Sequence, residues 1–319
     1  MYAELLVQNG DTIYQPAVEE GISWELERKG APGKLTFKVL HDRALDITEG
    51  NPVRLTIDGE RVFYGFIFQK KRDQSRLVTI TAYDQLRYLK NKDTYVYANK
   101  TASQLVQMLA DDFQLQCGTL EDTQFVIESR VEDNQTLFDI IQNALDLTLQ
   151  YTTQMFVLYD DFGRITLKNI GSMKVPVLID ADTGQSFEYT SSIDNDTYDQ
   201  IKLAYENEST GKRDIYIARN SSHINEWGVL QYFETVDDPS NAAAKADLLL
   251  KLYDQKTRTL TVNNAFGDVR VRAGSLIPVS FTFDDVTINH YMLVEKVKHT
   301  FSESLHTMNL TLRGGEFIA

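Results

Sequence analysis

Apolar and polar side chains alternate with a period of two at both ends of this chain and lose that alternation in between, which constrains the fold more than any other sequence feature. In Leu77 to Tyr83, Val78, Ile80 and Ala82 fall on one side while Thr79, Thr81 and Tyr83 fall on the other. That is the pattern of a strand with one buried face. Similar short runs cover Glu4 to Val7, Ile22 to Arg28, Lys34 to Leu40, Val53 to Ile57 and Val62 to Gln69. Asp58-Gly59 lies between two of them and predicts a tight hairpin. Residues 1–92 therefore read as a small antiparallel, tube-like β-barrel or a sandwich.

The period changes in residues 93–175, which read as an α+β middle domain. Thr101 is an N-cap candidate for a helix from Ala102 to Phe113, in which Leu105, Met108, Leu109 and Phe113 recur at helical spacing. Leu137, Ile140, Ile141, Leu145 and Leu149 form one apolar stripe along a second helix, from Thr136 to Leu149. Met155 to Tyr159 and Arg164 to Asn169 suit a hairpin closed by Asp160 to Gly163. Gly, Ser, Lys and Pro then cluster in Gly171 to Val177 and mark a boundary.

Strands dominate again in residues 176–319, with runs at Phe187 to Ser191, Gln200 to Glu206, Asp214 to Arg219, Val229 to Val236 and Thr257 to Val262, continuing to Leu312. An Ala- and Leu-rich helix interrupts them over about 240–253, after the start signal Asp237-Asp238-Pro239. The stretch reads as a second barrel with that helix inserted.

The two ends share a rhythm. Gly50, Val53, Leu55 and Ile57 lead through a turn to Phe63, Tyr64, Phe66 and Phe68 and on to the strand ending at Tyr83. Gly274, Ile277, Val279, Phe281 and Phe283 lead through Asp284-Asp285 to Tyr291, Leu293 and Val294, and then to Met308, Leu310 and Leu312. Two copies of one barrel would give this pattern, and so would a generic meander. The overall expectation is a mainly β chain with two small barrels joined by an α+β domain.

The stretches Val18 to Val39, Tyr64 to Ile67, Thr79 to Leu89, Gly228 to Glu234, Gly267 to Val279 and Tyr291 to Leu312 resemble the baseplate hub proteins of contractile phage tails and phage-tail-like bacteriocins, of the XkdQ/YqbQ type known from PBSX-like prophages. The resemblance spans nearly the whole chain and is weakest over Ala181 to Arg219. It implies a homotrimer whose paired barrels imitate the six-fold tail tube while the trimer matches the spike. Tail tube, spike, baseplate wedge and other hub proteins are the implied partners, and a virion or tail-like particle is the implied location. The implied role is structural and not enzymatic.

Composition agrees with a soluble, folded chain: 42% hydrophobic and 24% charged residues are ordinary globular values. No apolar run approaches the ~18 residues of a membrane helix, and Glu4 interrupts the short run near the start, so synthesis and folding in a cytoplasm are expected, without membrane insertion. A formal charge of −14 argues against sequence-specific nucleic-acid binding, which needs a basic surface. The same charge suggests that a channel through the trimer has a net negative wall.

Chemistry-bearing patterns are weak. Cys117 is the only cysteine, which excludes an intramolecular disulfide and a multi-thiolate metal site. Thr210-Gly211-Lys212-Arg213 lacks the earlier glycine of a phosphate loop and reads as a hairpin turn. His41, His223, His290, His299 and His306 have no helical ligand spacing, although the last three fall on or next to strands and could converge. Asp180, Asp182 and Gly184 imitate part of a calcium loop, as do Asp194, Asp196 and Asp199, but neither has the closing Glu. Asn99, Asn134, Asn195, Asn207 and Asn220 sit in sequons and read as turn or loop residues. Lys70-Lys71-Arg72 reads as a solvated strand end or a contact with an acidic neighbour, and Tyr64, Phe66 and Phe68 read mostly as core, with one face available to a subunit contact. No catalytic, cofactor-binding or metal-ligating residue is assigned, and no cofactor is expected. A tail-associated cell-wall hydrolase, with a carboxylate pair hidden among 46 acidic residues, and a carbohydrate-binding module are the competing readings.

Overall fold

A computed structural model of the chain describes residues 1–40, 44–74, 76–207, 210–236, 239–282 and 287–314. His41, the Asp237-Asp238 pair and the Phe283 to Asp285 turn lie outside the described residues.

The first end folds into β1 (Ala3–Asn9), β2 (Thr12–Tyr14), β3 (Ile22–Glu27), β4 (Lys34–Leu40), β5 (Pro52–Ile57), β6 (Glu60–Arg72) and β7 (Leu77–Tyr83). The Asp58-Gly59 hairpin forms as expected, with φ of 49° and 86° at its two residues, the positive values a primed turn needs. Alternation sends Trp24, Leu35, Phe37, Leu55, Phe63 and Ile80 into one core.

The middle begins with β8 (Lys92–Thr101) and α1 (Ala102–Asp112), followed by β9 (Cys117–Leu120), β10 (Val126–Thr136), α2 (Leu137–Thr152), β11 (Phe156–Asp160) and β12 (Ile165–Asn169). Thr101 caps α1 through a reciprocal pair of bonds with Gln104, and Thr136 caps α2 by accepting from the Asp139 N–H. Leu105, Leu109, Leu137, Ile140 and Ile141 pack the two helices together. The long β8–β10 ribbon was not expected. Both of its strands are polar, and Val96 and Val131, directly opposed across it, are 73% and 70% exposed.

The last part contains β13 (Ile179–Asp180), β14 (Ser186–Ser192), β15 (Gln200–Asn207), β16 (Lys212–Arg219), α3 (Ser221–Trp227), β17 (Gln231–Thr235), α4 (Ala242–Tyr253), β18 (Thr257–Phe266), β19 (Leu276–Thr282), β20 (Thr287–Phe301) and β21 (His306–Gly314). Between β14 and β18 lies more than the expected helix α4. β16, β15 and β17 form their own sheet, and Ile201, Leu203, Ala246 and Leu249 seal α4 against it.

The expectation of two separate barrels needs correcting. Among the described residues no barrel closes, and both ends belong to one 13-stranded sheet ordered β14-β18-β21-β20-β3-β4-β7-β6-β5-β1-β2, with β19 and β13 joined on beside β20. The join is made by β20. Its first half, Thr287 to Leu293, pairs with β19, and its second half, Lys296 to Phe301, pairs with β3 from the other end of the chain.

Within that sheet the two ends correspond strand for strand. The order β3-β4-β7-β6-β5 in the first matches β14-β18-β21-β20-β19 in the second. A bulge interrupts β6·β7 between Ile67 and Gln69, and another interrupts β20·β21 between Val294 and Lys296. Gly50 donates to the Ile67 carbonyl while Ile67 donates to Asn51, and Gly274, Val294 and Ser275 repeat the same exchange. The rhythm read from the sequence is thus a repeated topology, offset by 224 residues at the two glycines.

Candidate functional site

The seam where β20 meets β3 brings residues together from opposite ends of the chain. Its register opposes Lys296 to Glu27, Lys298 to Glu25, His299 to Trp24 and Phe301 to Ile22. Because side chains alternate, the seam has two faces. On the core face Trp24 stacks on His299 with ring centroids 4.9 Å apart. On the opposite face Lys296 pairs with Glu27 at 2.7 Å, and Glu25 receives Lys34 at 2.8 Å and Lys298 at 3.4 Å. These charges are partly exposed and each pair is worth only ~0–1 kcal/mol. A cleft of about 460 Å³ lies over them.

The same face runs on without interruption. Register places Thr36 and Lys38 on β4 beside Thr81 and Thr79 on β7, and Asn309 and Thr311 on β21 beside Thr261 on β18 and then Glu188 on β14. The result is one broad polar surface, rich in threonine, whose Lys and Glu side chains largely neutralise one another.

A buried charged cluster lies where the three parts of the chain meet. Asp84 follows β7, Asp160 ends β11 and Arg272 precedes β19. Asp84 accepts from the Gly33 N–H at 2.8 Å and the Leu86 N–H at 3.0 Å. Asp160 accepts from the Gly163 N–H at 2.7 Å. The Arg272 guanidinium lies 4.3 Å from the Tyr159 ring centre and 5.9 Å from that of Trp24, and donates to the Asp160 carbonyl at 2.5 Å. Burial, reinforced by the charge of Asp160, pushes the Asp84 carboxyl well up, and burial pushes Asp160 up to about 6. The two carboxyls are 4% and 5% exposed, so a sugar and a water cannot come between them as a glycosidase requires.

Around this cluster the β11–β12 hairpin acts as a wedge. Its tip packs Phe162 against Tyr64, and Arg61 lies over the Phe162 ring. Its base packs Val157 among Leu276, Leu293 and Met173. Tyr64, Phe66 and Phe68 therefore do not belong to the core of the first end, as the sequence suggested. They lie on the other face of β6, in an aromatic cluster with Tyr83, Tyr88 and Phe162.

Of the described histidines, only His299 and His306 meet, Nδ1 to Nε2 at 2.9 Å. His290 lies on β20 elsewhere, and His223 on α3 bonds Asp254 at 2.5 Å and stacks on Trp227. Asp180 turns back to accept from the Thr183 hydroxyl and the Asp182 N–H. Asp199 is buried and accepts from Leu230 N–H, whereas Asp194 and Asp196 are exposed. Neither set converges, and among the described residues no group of three His, Cys, Asp or Glu is placed to hold a metal.

Thr210 and Gly211 form the β15–β16 turn. Cys117 packs against the core of the middle part, where burial and then Asp111 raise its thiol. Asn99 and Asn134 are not loop residues but lie within β8 and β10 at φ of 52° and 51°, and Asn220 caps α3. Lys70, Lys71 and Arg72 end β6; Lys70 donates to the Ile47 carbonyl at 2.5 Å.

Sequence reasoning missed the buried Asp84–Asp160–Arg272 cluster, although Arg272 lies in the stretch Gly267 to Val279 that had been singled out for its resemblance. No helix is long and apolar enough to cross a membrane among the described residues.

Comparison with known proteins adds three findings. A sequence profile described as YqbQ-like matches residues 22–313. Over 310 residues the chain is 31% identical to the uncharacterized protein YqbQ and also to the phage-like element PBSX protein XkdQ, both of Bacillus subtilis strain 168, covering 94% of this chain and 93% and 94% of theirs. The fold resembles the 43 kDa tail protein of prophage MuSo2 from Shewanella oneidensis, with a TM-score of 0.73 at 13% identity over 99% of this chain and 100% of that one.

Proposed function

Because the chain belongs to the YqbQ-like family, we propose that it is a structural component of a phage tail or tail-like particle, serving there as a non-enzymatic baseplate hub. In this reading three copies form a ring that joins a six-fold tail tube to a three-fold spike, with wedge proteins around it. Residues 1–92 and 176–319 supply the tube-like parts and 93–175 braces them. The chain is made in a bacterial cytoplasm and joins the particle there.

The observation that carries this reading is the repeated strand order of the two ends, joined in one sheet by the β20·β3 seam. Three such chains offer six equivalent half-sheets, which is what a three-to-six adaptor needs. The uninterrupted polar face is suited to line the channel. Its paired Lys and Glu residues favour a near-neutral wall over the acidic one suggested by net charge, so a DNA strand passing through would meet little counterion-release attraction.

Cryo-electron microscopy of the intact tail end tests the proposal. Three copies around the axis between tube and spike are expected, and six copies or an off-axis position would overturn it. Zymography of the purified chain on peptidoglycan tests the hydrolase alternative, with no clearing expected.

A further inference from the structure

The small sheet β16-β15-β17 is covered on one face only. Ile201 and Leu203 of β15 turn toward α4, which lies across that face. On the outer face the register sets Ile217 and Phe233 on either side of Lys202, and Ile215 and Thr235 on either side of Ala204. Ile215, Ile217 and Phe233 are between 42% and 54% exposed, and Val229, just before β17, is exposed as well. Single apolar residues at a surface need no explanation, but a contiguous group of this kind marks a contact.

The topology gives a second reason. β15 and β17 run parallel, and parallel strands are found mostly where both faces of the sheet are covered. Three strands spaced ~4.8 Å apart are about as wide as one helix of ~10 Å diameter. On the inner face the single helix α4, 12 residues long, provides that cover. The outer face has the same width and strand length, so one helix of about three turns covers it too. Its relief suits such an occupant, because the fully buried Ala204 makes a low floor between the taller rows of β16 and β17.

Charge decides which helix fits. Lys202 stands in the middle row and Arg219 opposes Gln200 at one end of the face. Among the described residues neither cation has an ion-pair partner. Glu206, the one carboxylate on this face of the three strands, is taken by Arg213. In a chain of formal charge −14 this face is locally basic.

We propose that the outer face of β16-β15-β17 is a docking surface for an amphipathic helix of another protein, whose apolar stripe packs on Ile215, Ile217 and Phe233 and whose flanking carboxylates meet Lys202 and Arg219. Docking gives the small sheet helices on both faces, a stable layer arrangement. A basic helix would place like charges opposite Lys202 and Arg219, so the surface selects against it. The inference goes beyond the hub reading and does not depend on it.

A photoreactive benzoylphenylalanine placed at Ile217 of the full chain tests this in the assembly the chain forms in producing cells, with the cross-linked peptide identified by mass spectrometry. The expected product joins this chain to a segment of a different protein that carries apolar residues at i, i+3, i+4 and i+7, flanked by Asp or Glu. Reversing the charges with Lys202→Glu and Arg219→Glu should cut the cross-link yield roughly tenfold, while the purified chain melts as the wild type does, since neither side chain is paired within it. A cross-link to a second copy of this chain, to a segment with strand-like alternation or to a basic helix overturns the inference, as do the absence of any cross-link and a yield that ignores the charge reversal. An acidic helix captured on this face by a chain lying off the tail axis supports the inference and overturns the hub reading. A three-copy ring on the axis with this face bare does the reverse.

Discussion

The Nε2–H of His306 donates to Nδ1 of His299, and the Nε2–H of His299 donates in turn to the Val271 carbonyl, each at 2.9 Å. A carbonyl can only accept, so this chain fixes the tautomer of both neutral rings. Burial pushes His299 down to about 3, with His306 adding to the effect, and burial pushes His306 down to about 4. Both rings are therefore neutral in the fold at pH values where the unfolded chain binds protons on them. Stability from this pair is complete above about pH 6.5 and is lost as pH falls toward 4. Urea midpoints measured from pH 4 to 7 should show the wild type losing ground to His306→Gln, which keeps a donor for His299, as pH falls. Parallel curves would contradict this assignment.

The Asp160 carboxyl contributes with the opposite sign. Burial raises it to about 6, against the opposing pull of the Gly163 N–H and Arg272, so its protonated form stabilises the fold at low pH and that contribution is lost as pH rises through 6. Asp160→Asn should therefore gain on the wild type between pH 4 and 7, by up to about 3 kcal/mol. Chemical denaturation of the two proteins across that range is the measurement.

Arg272 is a largely buried cation, its side chain 19% exposed, shared by three parts of the chain. Arg272→Ala removes the guanidinium from between Tyr159 and Trp24, empties its volume and leaves the Asp160 carbonyl without that donor. A loss of about 3–5 kcal/mol is expected near neutral pH. Early proteolysis at the β11–β12 hairpin would show that the parts come apart there.

Gly50 and Gly274 adopt nearly the same backbone conformation, with φ of 89° and 93°. A Cβ on Gly50 meets nothing within 4 Å, whereas one on Gly274 comes within 2.6 Å of Val157. Gly50→Ala should cost only the left-handed strain, about 1–2 kcal/mol. Gly274→Ala should cost clearly more, because it also dislodges the hairpin wedge. Paired thermal melts would separate the two contributions.

Much of this fold was legible in the sequence because it is encoded by neighbours in the chain. Thr101 announced one helix through capping, the apolar stripe from Leu137 to Leu149 announced a second, and Asp58-Gly59 announced a hairpin through its turn chemistry. The matched rhythm after Gly50 and Gly274 anticipated the repeated topology. The β8–β10 ribbon was missed because its strands are polar and pack on one side only. Tyr64, Phe66 and Phe68 were misplaced because β6 carries apolar residues on both faces, and alternation cannot then say which face is the core.

The sequence by itself determined where most of the strands and helices lie and, where only one face is apolar, which face they bury, and it carried the shared rhythm of the two ends. These properties depend on periodicity and local hydrogen bonding, which a few adjacent residues specify. Only the tertiary structure decided that the ends join in one open sheet, because a strand's pattern fixes the face it buries and not the edge it pairs with. Glu25 and Lys298 are 273 residues apart, and they come together because β20 outruns β19 and offers β3 an edge that no local pattern records. The same reasoning applies to Asp84, Asp160 and Arg272: each is an ordinary polar residue in sequence, and only the meeting of three segments brings them together out of solvent.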